Sequence, residues 1–455
     1  MNDRMTRRFM GYMLAAACLI SPLASHCQRR PPTTKHDCME LPAPDLGSPP
    51  EVQQAEAALR RHDFNGLQAL VQRAVAANPD DYRAWFDLGY FYMRSQPQDA
   101  IAAFRKSVAL KPDFFESNFT LGFLLRDSRW PGHSKNESEK YLSAATQLTP
   151  SAHPQESLTC AWITLGLVQE WTGKETEGLQ SLAEASGISP NDPEPHILAG
   201  KYSENKLPEY AVAEYKKALE LDPTSRDALL GLDRIYERQK NYAQAEVWLR
   251  KLLASDPNDP ARLYLAQVLS TEGMYDQAAE QLNEELRGHP WNGDAALELA
   301  KVYAKAGEDA KAEQQFRVAV AVKPVNAEAH YAFGSFLLRE KKYSEAQQEL
   351  LTAIKLKRDL IEAYGDLAAA AAADKNYSLA LQVLDDRGKL QADPPAICFL
   401  RATTYDNLND VPQAMEYYQQ FLAANSVNLP DQQRQARERL IALDPQHADK
   451  YRVKK

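Results

Sequence analysis

Prolines recur through the middle of the chain at intervals of 33 or 34 residues. The series consists of Pro190, Pro223, Pro257, Pro290 and Pro324. Because proline has no backbone N–H and its ring disrupts a helix that would continue through it, each of these residues indicates where a helix has ended. A period of this length, repeated along the chain, is typical of repeated supersecondary units rather than of one or two compact domains.

The residues that precede each proline also repeat. A small residue generally lies 24 and again 12 residues before the proline, and an apolar residue lies 8 residues before it, as Ala300, Ala312 and Phe316 do ahead of Pro324. The same spacing starts earlier than the proline series and continues after it. These further units contain Ala55, Leu67 and Val71, then Gly334, Ala346 and Leu350, then Ala368, Ala380 and Leu384, and finally Ala402, Ala414 and Tyr418.

This spacing is what two packed helices require. One small residue on each helix allows close approach, and a larger side chain at either place would force the helices apart. The apolar residue four positions later lies on the same face of the second helix, one turn away. We therefore predict an all-α chain of helix–turn–helix pairs. The small residues expected to be buried on the second helices are Ala211, Ala245, Ala278, Ala312, Ala346 and Ala380.

The unit resembles the tetratricopeptide repeat (TPR), a 34-residue helix–turn–helix module. The family's signature residues are Trp85, Leu88, Gly89, Tyr92, Ala100 and Phe104 in one unit, and Trp162, Leu165 and Gly166 in another. The resemblance implies a right-handed α-solenoid superhelix of about eleven units over residues 48–426. Asp233 departs from the pattern, since it stands where a small residue is expected. A charged amphipathic helix in the capping segment and tail, residues 427–455, would cover the apolar face of the last unit.

The N-terminal residues differ in composition from the repeats. Arg4, Arg7 and Arg8 precede the apolar run FMGYMLAAACLISPLA, which is the order found in an export signal. We predict an export signal over residues 1–26 and a proline-rich tether over residues 27–47. The alternatives are a membrane anchor and a buried helix, but the run is short for an anchor and Pro22 breaks it.

Two mature forms remain open. The stretch LASHC resembles a lipoprotein signal, in which Cys27 would receive a lipid and tether the chain to a membrane, although His26 replaces the small residue of that pattern. Ordinary cleavage near Ser25 fits equally well. A disulfide between Cys27 and Cys38 is also left open. Either form predicts an exported protein of the periplasm or cell envelope.

No catalytic or metal-binding motif stands apart from the repeats. The sequence lacks H-E-x-x-H, G-x-S-x-G, G-x-G-x-x-G and an EF-hand loop, and its 9 histidines are scattered. A formal net charge of -9 argues against nucleic-acid binding. Since the repeats occupy most of the chain, we predict no enzyme activity, no cofactor and no metal.

In the TPR family, the first helix of each pair lines a concave groove in which partners bind. The resemblance therefore implies a scaffold that binds a protein or peptide in this groove. The implied groove residues of the early units are apolar, namely Phe86, Tyr90, Met93, Phe119, Phe123 and Trp171. Those of the later units are basic, namely Arg234, Arg238, Lys301, Lys305 and Arg339.

Some TPR domains hold the terminal carboxylate of a partner with a clamp of lysine, asparagine and arginine. The matching positions here carry Phe86, Tyr90, Phe119 and Phe123 instead, so such a clamp is not expected. Two further interpretations of the chain stay open. One is a structural element that assembles with itself, and the other is an enzyme with its site in the groove.

Overall fold

The computed structural model describes residues 47–451 except Asn65, Arg94 and residues 425–428. The predicted export signal and all of the tether but Gly47 lie outside the described residues, as do Cys27 and Cys38. The described residues form 23 α-helices and a short 3₁₀ helix, with no strand among them. The predicted α-solenoid of consecutive packed helix pairs is confirmed.

The chain divides after Gln239 into two compact units, which we call unit 1 and unit 2. Unit 1 contains α1 to α11, in which odd-numbered helices are the first helices of the pairs. Their bounds are α1 Pro50–Arg60, α2 Leu67–Ala77, α3 Tyr82–Tyr92, α4 Pro97–Leu110, α5 Phe115–Leu125, α6 Lys135–Ala145, α7 Pro154–Trp171, α8 Glu175–Ile188, α9 Glu194–Ser203, α10 Pro208–Leu221 and α11 Arg226–Arg238.

Unit 2 contains the remaining helices, again with the first helix of each pair odd-numbered. Their bounds are α12 Tyr242–Ser255, α13 Ala261–Thr271, α14 Tyr275–Gly288, α15 Gly293–Ala306, α16 Asp309–Val322, α17 Ala327–Arg339, α18 Tyr343–Leu356, α19 Ile361–Ala373, α20 Tyr377–Leu390, α21 Pro395–Asn407, α22 Val411–Ala423 and α23 Pro430–Leu443. The 3₁₀ helix follows at Pro445–Lys450.

Small residues lie at the helix contacts, as the spacing predicts. The side chains of Ala211, Ala245, Ala278, Ala312, Ala346 and Ala380 are all 0% exposed. Glycine on the first helix is required where a large side chain faces it, because a Cβ on Gly89 would lie 2.9 Å from Phe104 and one on Gly334 would lie 2.6 Å from Leu350. Both distances are too short for carbon atoms, so substitution there would separate the helices.

Helix α23 follows the last pair of unit 2 and covers its apolar face. Ala436 and Leu440 are each 0% exposed and pack in one cluster with Tyr418 and Phe421 of α22. The remaining surface of α23 is charged, as in the terminal helix of a repeat array. Arg439 belongs to this polar side and binds both carboxylate oxygens of Asp406, each at 2.7 Å.

Candidate functional site

Tyr90 and Phe123 lie on α3 and α5, two successive first helices of unit 1. Helix α3 begins at a capped end, where the Asp81 carboxylate accepts hydrogen bonds from the backbone N–H of Arg83 at 2.9 Å and of Ala84 at 3.4 Å. Both rings are partly exposed and pack against the same buried cluster. They therefore contribute to one apolar surface.

Phe86 lies beneath this surface rather than on it. The side chain is 1% exposed, and its ring packs edge-on against Phe104 at 5.5 Å and Phe114 at 5.6 Å between centroids. The expectation that Phe86 lines an accessible groove is therefore corrected. Its ring lies 6.4 Å from that of Tyr90 and supports it. Phe119 is likewise buried, at 4% exposed.

Trp171 is the last residue of α7 and is partly exposed. It follows Val168 by three positions, and residues three apart lie on the same side of a helix. Val168 belongs to the cluster against which Phe123 also packs. The Lys135 ammonium lies 5.7 Å from the Trp171 ring and donates a hydrogen bond to the Trp171 carbonyl at 3.2 Å. Trp171 therefore lies at the end of α7 beside a lysine, one turn after a residue of the cluster that Phe123 contacts.

Arg126, which the sequence analysis did not single out, lies at this surface. It follows the last residue of α5, and its guanidinium carbon is 3.8 Å from the centroid of the Phe123 ring. The adjacent carboxylate of Asp127 is bound by Arg129, whose Nε lies 3.0 and 2.9 Å from its two oxygens. Within the described residues the Arg126 guanidinium has no hydrogen bond or ion pair, although the charge of Asp127 acts on it. Burial lowers the pKa of its guanidinium to about 10.

The hydroxyl of Tyr202 and the charge of Arg126 act on each other electrostatically. It lies near the end of α9, is partly exposed, and packs against the cluster that includes Ile163 and Leu167 of α7. Burial raises the pKa of the Tyr202 hydroxyl, and the charges of Glu170 and Arg126 act on it in opposite directions. The phenol therefore keeps its proton at neutral pH and is able to donate a hydrogen bond.

The two predicted basic residues of α11 bind the end of α9. The Arg234 guanidinium donates to Glu204 Oε1 at 2.5 Å, and the same carboxylate accepts from the Tyr215 hydroxyl at 2.5 Å. Arg238 donates to the Glu204 carbonyl at 2.7 Å and to the side chain of Asn205. These charges join neighbouring repeats, so they do not form the free basic surface that was expected.

Unit 2 contains a matching triad. There, Asp406 accepts from the Tyr418 hydroxyl at 3.1 Å and from Arg439 at 2.7 Å. In both triads an arginine from the following helix binds a carboxylate at the end of a first helix, and a tyrosine of the second helix shares that carboxylate. Because the capping helix uses the same arrangement, we interpret Arg234 as a residue that connects repeats.

The predicted basic residues of α15 are also bound within unit 2. Lys301 donates to Glu298 at 3.0 Å and to Glu328 of α17 at 2.9 Å. Lys305 lies 3.3 Å from the hydroxyl of Ser270 on α13. The first of these residues is thus neutralised by two carboxylates, and the second reaches the preceding repeat.

Arg339, at the end of α17, completes the predicted basic group. It donates to Asp309 at 2.7 Å and to Glu340 at 3.1 Å, and its guanidinium carbon lies 5.0 Å from the Phe336 ring centroid. The interpretation of the later basic residues as a free basic wall is therefore corrected. A sequence does not reveal which carboxylate of a neighbouring repeat each cation meets.

Family models match most of the repeat region. Residues 52–189 match the model described as the middle TPR-like domain of cilia and flagella-associated protein 70. Residues 202–269 and 269–335 match one tetratricopeptide repeat model, and residues 327–360 and 395–428 match another. The chain is a tetratricopeptide repeat protein. The TPR fold is generally a non-catalytic interaction fold, and this TPR protein is a protein-interaction scaffold.

Several solved structures are similar to the TPR protein. PilF of Pseudomonas aeruginosa is 23% identical, with 46% of this chain and 96% of that chain covered at a TM-score of 0.41. PilW, described as a type IV pilus biogenesis factor, is 21% identical over 50% of this chain and 99% of its own, at a TM-score of 0.38. Yeast Tom70 is 14% identical over 87% of this chain and 95% of its own, at a TM-score of 0.39. No curated protein sequence matches the chain.

The part of the TPR protein that the structure describes contains neither a metal-binding cluster nor a membrane-spanning helix. No group of three or more His, Cys, Asp or Glu side chains in that part is arranged to hold a metal ion. None of the helices in the same residues has the length and apolar character needed to cross a membrane.

Proposed function

We propose that this TPR protein is a non-catalytic scaffold that binds a segment of a partner protein across the first helices of unit 1. The contact surface consists of Tyr90, Phe123 and Trp171, and we call it the aromatic surface. Buried aromatic side chains supply much of the binding energy at protein interfaces. An apolar segment of a partner would remove these partly exposed rings from water.

One observation carries the proposal, namely three partly exposed aromatic side chains on three successive first helices. Tyr90 and Phe123 pack against one buried cluster. Phe123 and Val168, one turn before Trp171, share a second cluster. Buried residues such as Phe86 hold the rings in place, so that little ordering is needed on binding.

The basic residues enter this proposal in a secondary role. Arg234, Arg238, Lys301, Lys305 and Arg339 each have a partner within the chain. A segment that bound them would have to replace those interactions. We assign them to the joining of repeats, which keeps the first helices in register.

We further propose that the protein acts outside the cytoplasm, in the periplasm or cell envelope. The support is the arginine-rich and apolar beginning of the chain, with Pro22 near the end of the apolar run. A proline-rich tether would then separate the repeats from the site of cleavage or lipid attachment at Cys27. Intact-mass measurement on the native protein tests this proposal, since a retained Met1–Ala24 segment would overturn it and a diacylglycerol on Cys27 would identify the lipoprotein form.

The partner-binding proposal is tested by cross-linking and pulldown from the native envelope fraction. Wild-type protein is compared with the double variant Tyr90→Ala/Trp171→Ala, and captured proteins are quantified by mass spectrometry. We expect a partner that the wild type captures and the double variant loses. Folding of each variant is checked by helical circular dichroism.

Trp291→Ala provides the matched control. Trp291 is 82% exposed in the turn before α15, so its removal deletes a large exposed ring from another part of the chain. Capture should persist with this variant. If the folded double variant captures the same proteins as the wild type, the aromatic surface is not the binding site. Loss with Trp291→Ala alone would place binding at the repeat turns instead.

A further inference from the structure

Arg126 differs in its partners from Arg234, Lys301 and Arg339, which also lie on or next to first helices. Arg234 has a carboxylate partner in unit 1, and Lys301 and Arg339 have carboxylate partners in unit 2. Arg126 has none among the described residues, although Asp127 is its neighbour in sequence. The reason is that Asp127 binds Arg129 through both oxygens. Such a bidentate pair satisfies the carboxylate and leaves Arg126 with unused donors.

Arg126 is positioned by the Phe123 ring, and the charge of Asp127 acts on its guanidinium. The central carbon of its guanidinium lies 3.8 Å from the centroid of the Phe123 ring. At this distance one face of the planar guanidinium packs against the ring. The edge with its N–H donors is left for hydrogen bonding. Burial lowers the pKa of the group to about 10, so it remains charged at neutral pH while part of its hydration is lost. An incoming anion therefore faces a smaller cost of displacing water.

The Phe123 ring that holds Arg126 packs against the same cluster as an aromatic side chain of another first helix. Tyr90 of α3 and Phe123 pack against one cluster, and Tyr202 of α9 is close enough for its hydroxyl and the Arg126 charge to influence each other's pKa. A segment that lies across the first helices would therefore pass Arg126 with chain continuing on both sides. This placement favours a carboxylate on a side chain over one at a chain terminus.

We propose that Arg126, held on the Phe123 ring, binds the side-chain carboxylate of an aspartate or glutamate within an otherwise apolar partner segment. The apolar side chains of that segment would contact Tyr90 and Trp171, and the Tyr202 hydroxyl would donate a second hydrogen bond to the carboxylate. This inference rests on the proposed function of the aromatic surface and names the chemistry that the partner brings to it. The site lies three residues beyond Phe123, so it differs from the clamp positions that Phe86, Tyr90, Phe119 and Phe123 occupy.

The experiment uses the full chain and synthetic peptides rather than an identified partner. Pools of acetylated and amidated nonapeptides carry Glu, Gln or Lys at the centre and random Leu, Phe, Val or Ala elsewhere. Binding is measured by fluorescence anisotropy. We expect the wild type to prefer the Glu pool over the Gln pool by about tenfold, as for a hydrogen bond between charged groups. Arg126→Gln should reduce this preference to about one, and Arg126→Lys should retain part of it.

Arg73→Gln is the matched control, since Arg73 is an exposed arginine of α2 that donates to the Ala69 carbonyl of its own helix at 3.1 Å. This variant should keep the preference for Glu. Peptides that bind without a preference for Glu, or with a preference that Arg126→Gln leaves intact, would overturn the carboxylate site while the aromatic surface stands. Failure of every pool to bind the folded wild type would overturn both proposals.

A fourth peptide pool distinguishes the two sources of a carboxylate. Its peptides carry Gln at the centre and a free C-terminus. Tighter binding of this pool than of the Glu pool, with loss in Arg126→Gln, would assign Arg126 to a chain terminus and overturn the side-chain assignment. Weaker binding supports the assignment.

Discussion

The first helices of unit 1 and those of unit 2 share one architecture but carry different outer surfaces. In unit 1, α3, α5 and α7 present partly exposed aromatic rings, and Arg126 rests on one of them without a carboxylate. In unit 2, Lys301 and Arg339 bind carboxylates of adjacent repeats at 2.9 and 2.7 Å. These charges of unit 2 connect repeats, as Arg234 does in unit 1, whereas Arg126 and the aromatic rings of α3, α5 and α7 do not serve this purpose.

Breaking the most buried ionic group of unit 2 should have the largest effect on stability. Asp393 accepts from Arg387 at 2.9 Å and from Arg401 at 2.7 Å, and the two arginines are 6% and 4% exposed. Asp393→Ala leaves both cations without this partner in a dry site. We expect a loss of about 3 kcal/mol in the free energy of unfolding, measured by urea denaturation.

Asp386→Ala is the control for this experiment, because Asp386 pairs with Lys389 at 2.8 Å on the surface of the same region. The side chains of that pair are 49% and 74% exposed, so water screens their attraction. Its removal should therefore lower the free energy of unfolding far less than Asp393→Ala does. Equal unfolding midpoints for the two variants would contradict the view that buried charges join the repeats of unit 2.

The contact of small residues should be equally important in both units. Ala211 of unit 1 and Ala312 of unit 2 are both 0% exposed, so replacing either one with leucine forces two helices apart. We expect each substitution to cost about 2 kcal/mol, with damage confined to neighbouring repeats. Thermal unfolding followed by circular dichroism measures this loss. Ala310→Leu, on an exposed position of the same helix as Ala312, is the control. A stable Ala211→Leu beside a destabilised Ala312→Leu would show that the units differ in their cores as well.

Asp233 predicts a pH dependence that belongs to unit 1. It is 3% exposed, and its Oδ1 has no hydrogen-bond partner among the described residues. Burial, with a contribution from Glu237, raises the pKa of its carboxyl to about 7. The folded chain therefore keeps this proton up to about pH 7, whereas the unfolded chain loses it near pH 4. Between these values unfolding releases a proton, so stability falls as the pH rises.

Asp233→Asn removes this dependence. We expect the variant to be at least about 1 kcal/mol more stable than the parent at pH 8 and to show no advantage at pH 4. Urea unfolding at a series of pH values measures the difference. Asp227→Asn, at an exposed position of the same helix, should leave the pH profile unchanged. A parent protein whose stability is unchanged between pH 5 and pH 8 would contradict the raised pKa.

The helix pairs could be predicted because their constraint is local and periodic. Ala312 must be small because the two helices of its pair approach closely there, and this contact repeats in nearly every unit. The position of Ala312 follows from its distance of 12 residues to Pro324. The exposure of an aromatic residue follows no such rule. Phe86 and Tyr90 lie one turn apart on α3, and Phe86 is buried because Phe104 and Phe114 of later helices cover it.

The electrostatic part of the site was the least predictable. The sequence places Arg126 and Arg129 on either side of Asp127, and either arginine could be its partner. The geometry of the turn after α5 decides in favour of Arg129. For the same reason, the predicted basic group in unit 2 could not be recognised as ion-paired, since Glu328 and Asp309 belong to other helices than the cations they bind.

The smallest change in stability is expected for substitution of Arg339, a surface arginine whose position resembles that of Arg126. Arg339, like Arg126, adjoins the end of a first helix and contacts an aromatic ring, but it is bound to Asp309 at 2.7 Å with both side chains about half exposed. We expect Arg339→Gln to lower stability by about 0.5 kcal/mol at low salt and by nothing measurable in about 1 M NaCl, because salt screens exposed pairs. Arg358→Gln, at an exposed arginine with no ion pair in the described residues, is the control and should have no effect at either salt concentration. Binding of a partner or peptide should be unchanged in both variants. The contrary result would be that Arg339→Gln weakens peptide binding as much as Arg126→Gln does. A cation that is already paired with a carboxylate of the same chain would then still take part in recognition. The distinction drawn between paired cations of unit 2 and the unpaired Arg126 of unit 1 would be wrong.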